Sequence, residues 1–277
     1  MKTRAITGLF FIAVMLGSFF AGHYVFAAFY LLLSLLCLQE FYKLVKQAGI
    51  NPNVGAGILN AGLLYVAFAL LSYSSDPTNV GFTFPVNKLV FLLPVTMGSI
   101  LALELFKEQP NPFTHIAYTF WGIIFAVVPF CFFHALAYVG HSGFNFHIPL
   151  AFMLMLWAND TGAYLTGRWL GRTKLFERHS PKKTWEGFIG GVLISAVVAF
   201  IISRYYPEMS WRNWVSMAII IGVVGTTGDL VESMFKRSIN IKDSGGILPG
   251  HGGLLDRFDG LLLACPVVFA YLYFVLN

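Results

Sequence analysis

The chain has 277 residues, 57% of them hydrophobic and 11% charged, with a formal net charge of +5 and a mean hydropathy of +0.71. That balance excludes a soluble globular domain. It also leaves no disulfide or zinc framework, because Cys37, Cys131 and Cys265 all fall inside apolar runs without paired spacing.

A hydrocarbon core about 30 Å thick takes roughly 20 apolar residues per helix. Runs of that kind recur near 6–21, 24–40, 54–73, 88–106, 114–139, 148–167, 187–203, 213–231 and 259–276. They predict an all-α, polytopic integral membrane protein with about nine transmembrane helices. Lys2 and Arg4 precede the first run as they would in a signal peptide, but a second run follows at once, so the first is read as a retained span. Residues 1–150 form an N-terminal transmembrane region of about five helices. Its polar connections, at 47–53, 74–79 and 107–112, carry the Pro and Asn of turns. Glu40 and Glu104 stand at span ends and are expected at the membrane interface. Gly8, Gly17, Gly22, Gly55 and Gly57 are expected to let helices pack closely.

Residues 151–277 read as a catalytic transmembrane region of about four helices with two polar loops. Asn159 and Asp160 lie inside a span, where an ionisable side chain is costly unless it faces protein or water. Asp160, Tyr164 and Gly167 share one helical face. The bland alternative is that Asp160 pairs with Arg168 as structural glue. The following loop carries Arg168, Arg172, Lys174, Arg178, Lys182 and Lys183 against Glu177 and Glu186. Much of it suits anionic lipid headgroups. Ser180, Lys182, Lys183 and Thr184 stand apart, since two lysines flanked by hydroxyls just before a helix start form a phosphate-grasping set.

Asp229 closes the eighth span, with Glu232 and Ser233 on the same face. The stretch 233–260, SMFKRSINIKDSGGILPGHGGLLDRFDG, then mixes Lys236, Arg237, Lys242, Asp243, Asp256, Arg257 and Asp259 with glycines in what reads as a loop. Carboxylates that hold Mg²⁺, beside cations and exposed backbone N–H groups that hold phosphate, suit a metal-bound polyphosphate. Asp256 and Asp259 share a face at the start of the last span and can meet Asp229 across the loop. His251 stands alone, so it suits a phosphate contact or loop shaping and not a metal site.

This stretch resembles the signature of the phosphatidate cytidylyltransferases, or CDP-diacylglycerol synthases. The matching residues are Ser233, Lys236-Arg237, Lys242-Asp243, His251-Gly252-Gly253 and Asp256-Arg257-Phe258-Asp259, with further likeness at 159–171 and 180–187. The resemblance implies attack of phosphatidate on the α-phosphate of CTP, giving CDP-diacylglycerol and pyrophosphate. It also implies a two-cation centre, Mg²⁺ with K⁺ as a candidate second ion, and a homodimer. Asp229 and Asp256 are the expected metal ligands, with Asp259 as second choice. Lys236, Arg237, Lys242, Lys182 and Lys183 are expected on phosphates, and Asn159 and Asp160 in a cavity open sideways to the lipid. The rival readings are a CTP-dependent polyprenol or phytol kinase and, from another class, a transporter.

The placement of charge separates these readings from nucleic-acid binding. With a cytoplasmic N-terminus, Lys88, Arg204 and Arg212 lie on the far side and every other Lys and Arg on the cytoplasmic one. The expected location is therefore a bacterial-type inner membrane, with the active site facing the cytoplasm.

Overall fold

The computed structural model describes residues 2–74, 86–140, 143–241, 244–245 and 252–276, without side chains for residues 2–7, 9 and 86–90. The helices run in the order α1 (Lys2–Phe20), α2 (His23–Gln47), α3 (Val54–Ser74), α4 (Val86–Leu105), α5 (Pro112–Ala126), α6 (Val128–Ala135) and α7 (His147–Leu170). Then come α8 (Trp185–Ile202), α9 (Trp211–Ser238) and α10 (Leu255–Leu276). Every predicted span coincides with helix, though the fifth is divided at Val127. Pro129 has no N–H to give to the carbonyl of Phe125, and the helix breaks just before it.

Six stretches among the described residues are long and apolar enough to cross a membrane: α2, α3, α5 with α6 (Pro112–Ala135), α8, α9 and α10. The chain is thus an integral membrane protein. α1 and α4 contribute shorter apolar segments, Phe10–Phe20 and Phe91–Leu105. α7 is interrupted by Asn159, Asp160 and Arg168. The expected nine spans are therefore not established beyond these six.

The polar loop between α7 and α8 is not irregular, as expected, but a hairpin of β1 (Lys174–Phe176) and β2 (Ser180–Thr184). The strands are antiparallel, with Lys174 opposite Thr184 and Phe176 opposite Ser180. Lys174 Nζ donates to the Pro181 carbonyl at 2.6 Å. Thr184 then caps α8, accepting from Gly187 N–H at 3.2 Å, while Glu186 takes the N–H groups of Arg172 and Thr173, each at 3.1 Å. The hairpin is thereby fixed to the start of α8.

Glycine sets how closely α7, α8, α9 and α10 approach. A Cβ on Gly191 of α8 would stand 2.7 Å from the Asn159 carbonyl oxygen of α7, and one on Gly228 of α9 would stand 2.5 Å from that of Asp259 of α10. The N-terminal glycines mostly do not pack this way. Gly57 abuts Tyr42, but Gly17 and Gly55 face open space, and Gly22 turns the chain at φ 92°.

Contacts among connections sort the bundle into two ends. At one end Asn53 donates to Glu104 (2.6 Å), His115 meets Glu104 (2.9 Å), and Lys183 pairs with Asp229. At the other, Asn145 and His147 meet Glu208, and Trp214 donates to the Tyr206 carbonyl at 3.2 Å. Glu40 and Glu104, expected at span ends near the membrane interface, are buried within the protein, at 1% and 2% exposure. Both are held by hydrogen bonds from the protein itself.

Candidate active site

α9 spans 28 residues, about 42 Å at helical rise, which outruns a hydrocarbon core of about 30 Å. Its last turns carry Asp229, Glu232, Ser233, Lys236 and Arg237 past the apolar segment. Residues 233–238, expected in a glycine loop, are thus helical. The first glycine after Gly228 is Gly245, and Glu232 and Lys236 pair at i,i+4 with a 3.1 Å contact.

Lys236 also reaches Asp256 Oδ1 at 2.5 Å, so one lysine lies between two carboxylates on neighbouring helices. Asp256 Oδ2 accepts the N–H groups of Ser244 and Gly253, both at 3.2 Å. The amides expected to face phosphate are in part turned onto the protein's own carboxylates. Gly252 makes this possible with φ 84°, a conformation that side chains disfavour.

Two adjoining cavities lie at this end. The more polar, about 290 Å³, is walled by Asp160, Asp229, Asp256, Asp259, Lys183 and Arg257, with Trp157, Gly225, Thr226 and Gly260. The other, about 380 Å³, opens between α7, α8 and the hairpin. Its polar wall includes Asn159, Asp160, Arg168, Lys182, Lys183, Thr184, Thr226 and Asp229, and its apolar wall includes Leu175 and Phe188. Asp160, Lys183, Thr226 and Asp229 line both. Lys183 Nζ pairs with Asp229 Oδ2 at 2.5 Å, and Ser233 Oγ donates to Asp229 Oδ1 at 3.3 Å.

The structure brings together most of the predicted residues. Asn159, Asp160, Lys182, Lys183, Thr184, Asp229, Asp256, Arg257 and Asp259 line the cavities. Ser233, Lys236, Gly252 and Gly253 stand behind them. Asp160 faces both cavities, and Arg168 reaches Tyr164 Oη at 3.4 Å. Thr184 has its hydroxyl engaged as the cap of α8. Ser180, at the start of β2, and the exposed Arg237 line neither cavity. Lys242, Asp243 and His251 lie outside the described residues. Sequence reasoning missed Glu40, whose Oε2 accepts the Leu255 N–H at 2.8 Å, and gave no role to Glu232, which is fully buried. Glu40 is the one carboxylate of α2, but nothing in the sequence names its partner.

Comparison with known proteins agrees with this geometry. A profile of the cytidylyltransferase family matches residues 2–275. The chain belongs to that family. It is 32% identical over 272 residues to a phosphatidate cytidylyltransferase of Staphylococcus aureus (strain COL), with 97% of each chain covered. The values are the same over 270 residues for the enzymes so named in Staphylococcus haemolyticus (strain JCSC1435) and in Staphylococcus epidermidis (strain ATCC 12228 / FDA PCI 1200). This cytidylyltransferase is accordingly a nucleotidyltransferase enzyme. Its polar cavity has the donor chemistry for Mg²⁺, with hard carboxylate oxygens around a space that water and phosphate can share. Among the described residues, no three His, Cys, Asp or Glu side chains converge tightly enough to cage an ion unaided.

Proposed function

We propose that the protein transfers CMP from CTP to phosphatidate. A phosphate oxygen of the lipid attacks the α-phosphorus of CTP; the bond from that phosphorus to its bridging oxygen breaks, and pyrophosphate leaves with CDP-diacylglycerol as product. The observation that carries this reading is the pair of cavities joined at Asp160, Lys183, Thr226 and Asp229. Two substrates can reach one point from two sides, the polyphosphate from the aspartate chamber and the lipid head from the chamber walled by Arg168, Lys182 and Phe188.

Phosphatidate is already an anion, so the attack needs little deprotonation. What the site must supply is alignment and counter-charge. Lys183 at the junction is placed to touch phosphate from either side once it leaves Asp229. Arg168 and Lys182 would orient the lipid phosphate, while the apolar wall between α7 and α8 lets acyl chains remain in the membrane. Asp229, Asp256 and Asp259 would hold Mg²⁺, which when bound neutralises charge building on the leaving pyrophosphate. Asp256 also anchors loop amides and Lys236, so its removal would disturb more than the ion.

The same reading places the active site at the cytoplasmic face, where CTP is made. Lys43, Lys107, Arg168, Arg172, Lys182, Lys236 and Arg237 gather at the site end, and Arg204 and Arg212 at the other, as the positive-inside rule requires.

The test is product analysis with purified protein in detergent, given Mg²⁺, each of the four NTPs and either phosphatidate or a polyprenol. CDP-lipid and pyrophosphate, formed with CTP, are the expected products. Formation of CDP with a newly phosphorylated lipid alcohol would instead identify a CTP-dependent kinase and end this reading.

A further inference from the structure

We propose that Glu40, on α2 in the N-terminal half, is a positioning residue for nucleotidyl transfer, and this rests on the function proposed above. Its side chain is 1% exposed and lines neither cavity. Oε2 accepts the N–H of Leu255, the first residue of α10, at 2.8 Å. The opening amides of a helix lack intrahelical partners, and the N-terminus favours negative charge. Glu40 therefore caps α10 from a separate part of the chain. The next residue in α10 is Asp256, which holds Lys236 and the amides of Ser244 and Gly253. One turn further on is Asp259, in the wall of the polar cavity.

A second observation is independent of that bond. A side chain at Gly245 or at Gly253 would collide with Glu40 Oε1. Two glycines of the signature segment are thus shaped around this carboxylate. Among the described residues, Glu40 Oε1 and Ser244 Oγ, both buried, have no hydrogen-bond partner. Glu40 and Asp256 thus both bear on Gly253 and on the 244–245 pair, and the position of the α10 carboxylates follows from where Glu40 holds Leu255.

The test compares Glu40→Gln and Glu40→Ala with Glu104→Gln, a buried glutamate in the same half that touches neither α10 nor the loop. Turnover is measured per folded molecule, alongside amide hydrogen exchange across 244–256. The expected order of kcat is wild type, then Glu40→Gln, which keeps an acceptor oxygen, then Glu40→Ala, reduced at least tenfold. KM for phosphatidate should stay within about twofold, because the lipid-side wall on α7 and the hairpin is untouched. Exchange at 244–256 should accelerate in the same order, and Glu104→Gln should keep wild-type kcat. Wild-type kcat per folded molecule in Glu40→Ala, or in Glu40→Gln should the alanine variant not fold, would overturn the proposal whatever the exchange. Failure of the underlying function would look different, with the wild-type protein forming no CDP-lipid from CTP and phosphatidate.

Discussion

Lys183 and Lys236 each meet an aspartate at 2.5 Å, yet their removal should have different consequences. Lys236 is 11% exposed and lies between Glu232 and Asp256, at 0% and 18%. Lys236→Ala strands two carboxylates in a dry setting and should cost about 3–5 kcal/mol of stability, seen as a large drop in Tm in detergent. In the half-open pair of Lys183 and Asp229, a lost contact costs about 1 kcal/mol or less. Lys183→Ala should therefore fold normally but lose turnover; wild-type kinetics would remove it from the reaction. Asp229→Asn and Asp256→Asn should each abolish turnover, while Glu108→Gln, at an exposed position, should not. Full activity of either Asn variant at limiting Mg²⁺, with normal folding, would mean that these carboxylates only pair with lysine. That Asp229, Asp256 and Asp259 line one cavity was legible in the sequence, because i,i+3 spacing puts carboxylates on one face at the start of α10 and Asp229 stands near the end of α9. Glu40 was not legible, since its partner is a backbone N–H, and a backbone amide leaves no mark in composition.

The helices themselves were readable from apolar run length, whereas their extensions and the hairpin were not. Glycine richness after Ile241 drew Lys236 and Arg237 into an expected loop, although the segment from Asp229 to Ser238 contains no glycine or proline to stop a helix. β1 and β2 are too short and too charged to alternate visibly, and their pairing depends on Glu186 and Lys174 contacts that only the fold reveals. The hairpin's role can be tested through Lys182→Ala, which should lower kcat/KM roughly tenfold to a hundredfold, as loss of a charge-assisted phosphate contact does. Unaltered kinetics would leave the hairpin as a membrane-surface anchor. Glycines in two helices should respond with opposite sign. Gly191→Ala sets a methyl against the Asn159 backbone, which cannot yield without spreading α7 from α8, so Tm and activity should fall together. Gly62→Ala in α3 meets open space, and should be neutral or stabilising by up to about 1 kcal/mol. A stable, active Gly191→Ala enzyme would show that the seam has slack.

The two ends of the bundle carry a prediction about the whole protein in its membrane. In a background lacking Cys37, Cys131 and Cys265, a cysteine at Lys182 should react with an impermeant reagent only from the cytoplasm, and one at Tyr205 only from outside. Labelling of both from one side would contradict the bundle's polarity. The bond between Glu40 and Leu255 joins residues 215 apart in sequence. Ribosomes add about 5–20 residues per second, so roughly 10–40 s separate the synthesis of the two partners. Through that interval Glu40 lacks its partner on α10. On the proposed site, a chain stopped before α10 lacks Asp256 and Asp259 and should be inactive. Nascent chains arrested before Leu255 should leave Cys37, fully buried in the finished protein, open to a thiol reagent that later cannot reach it.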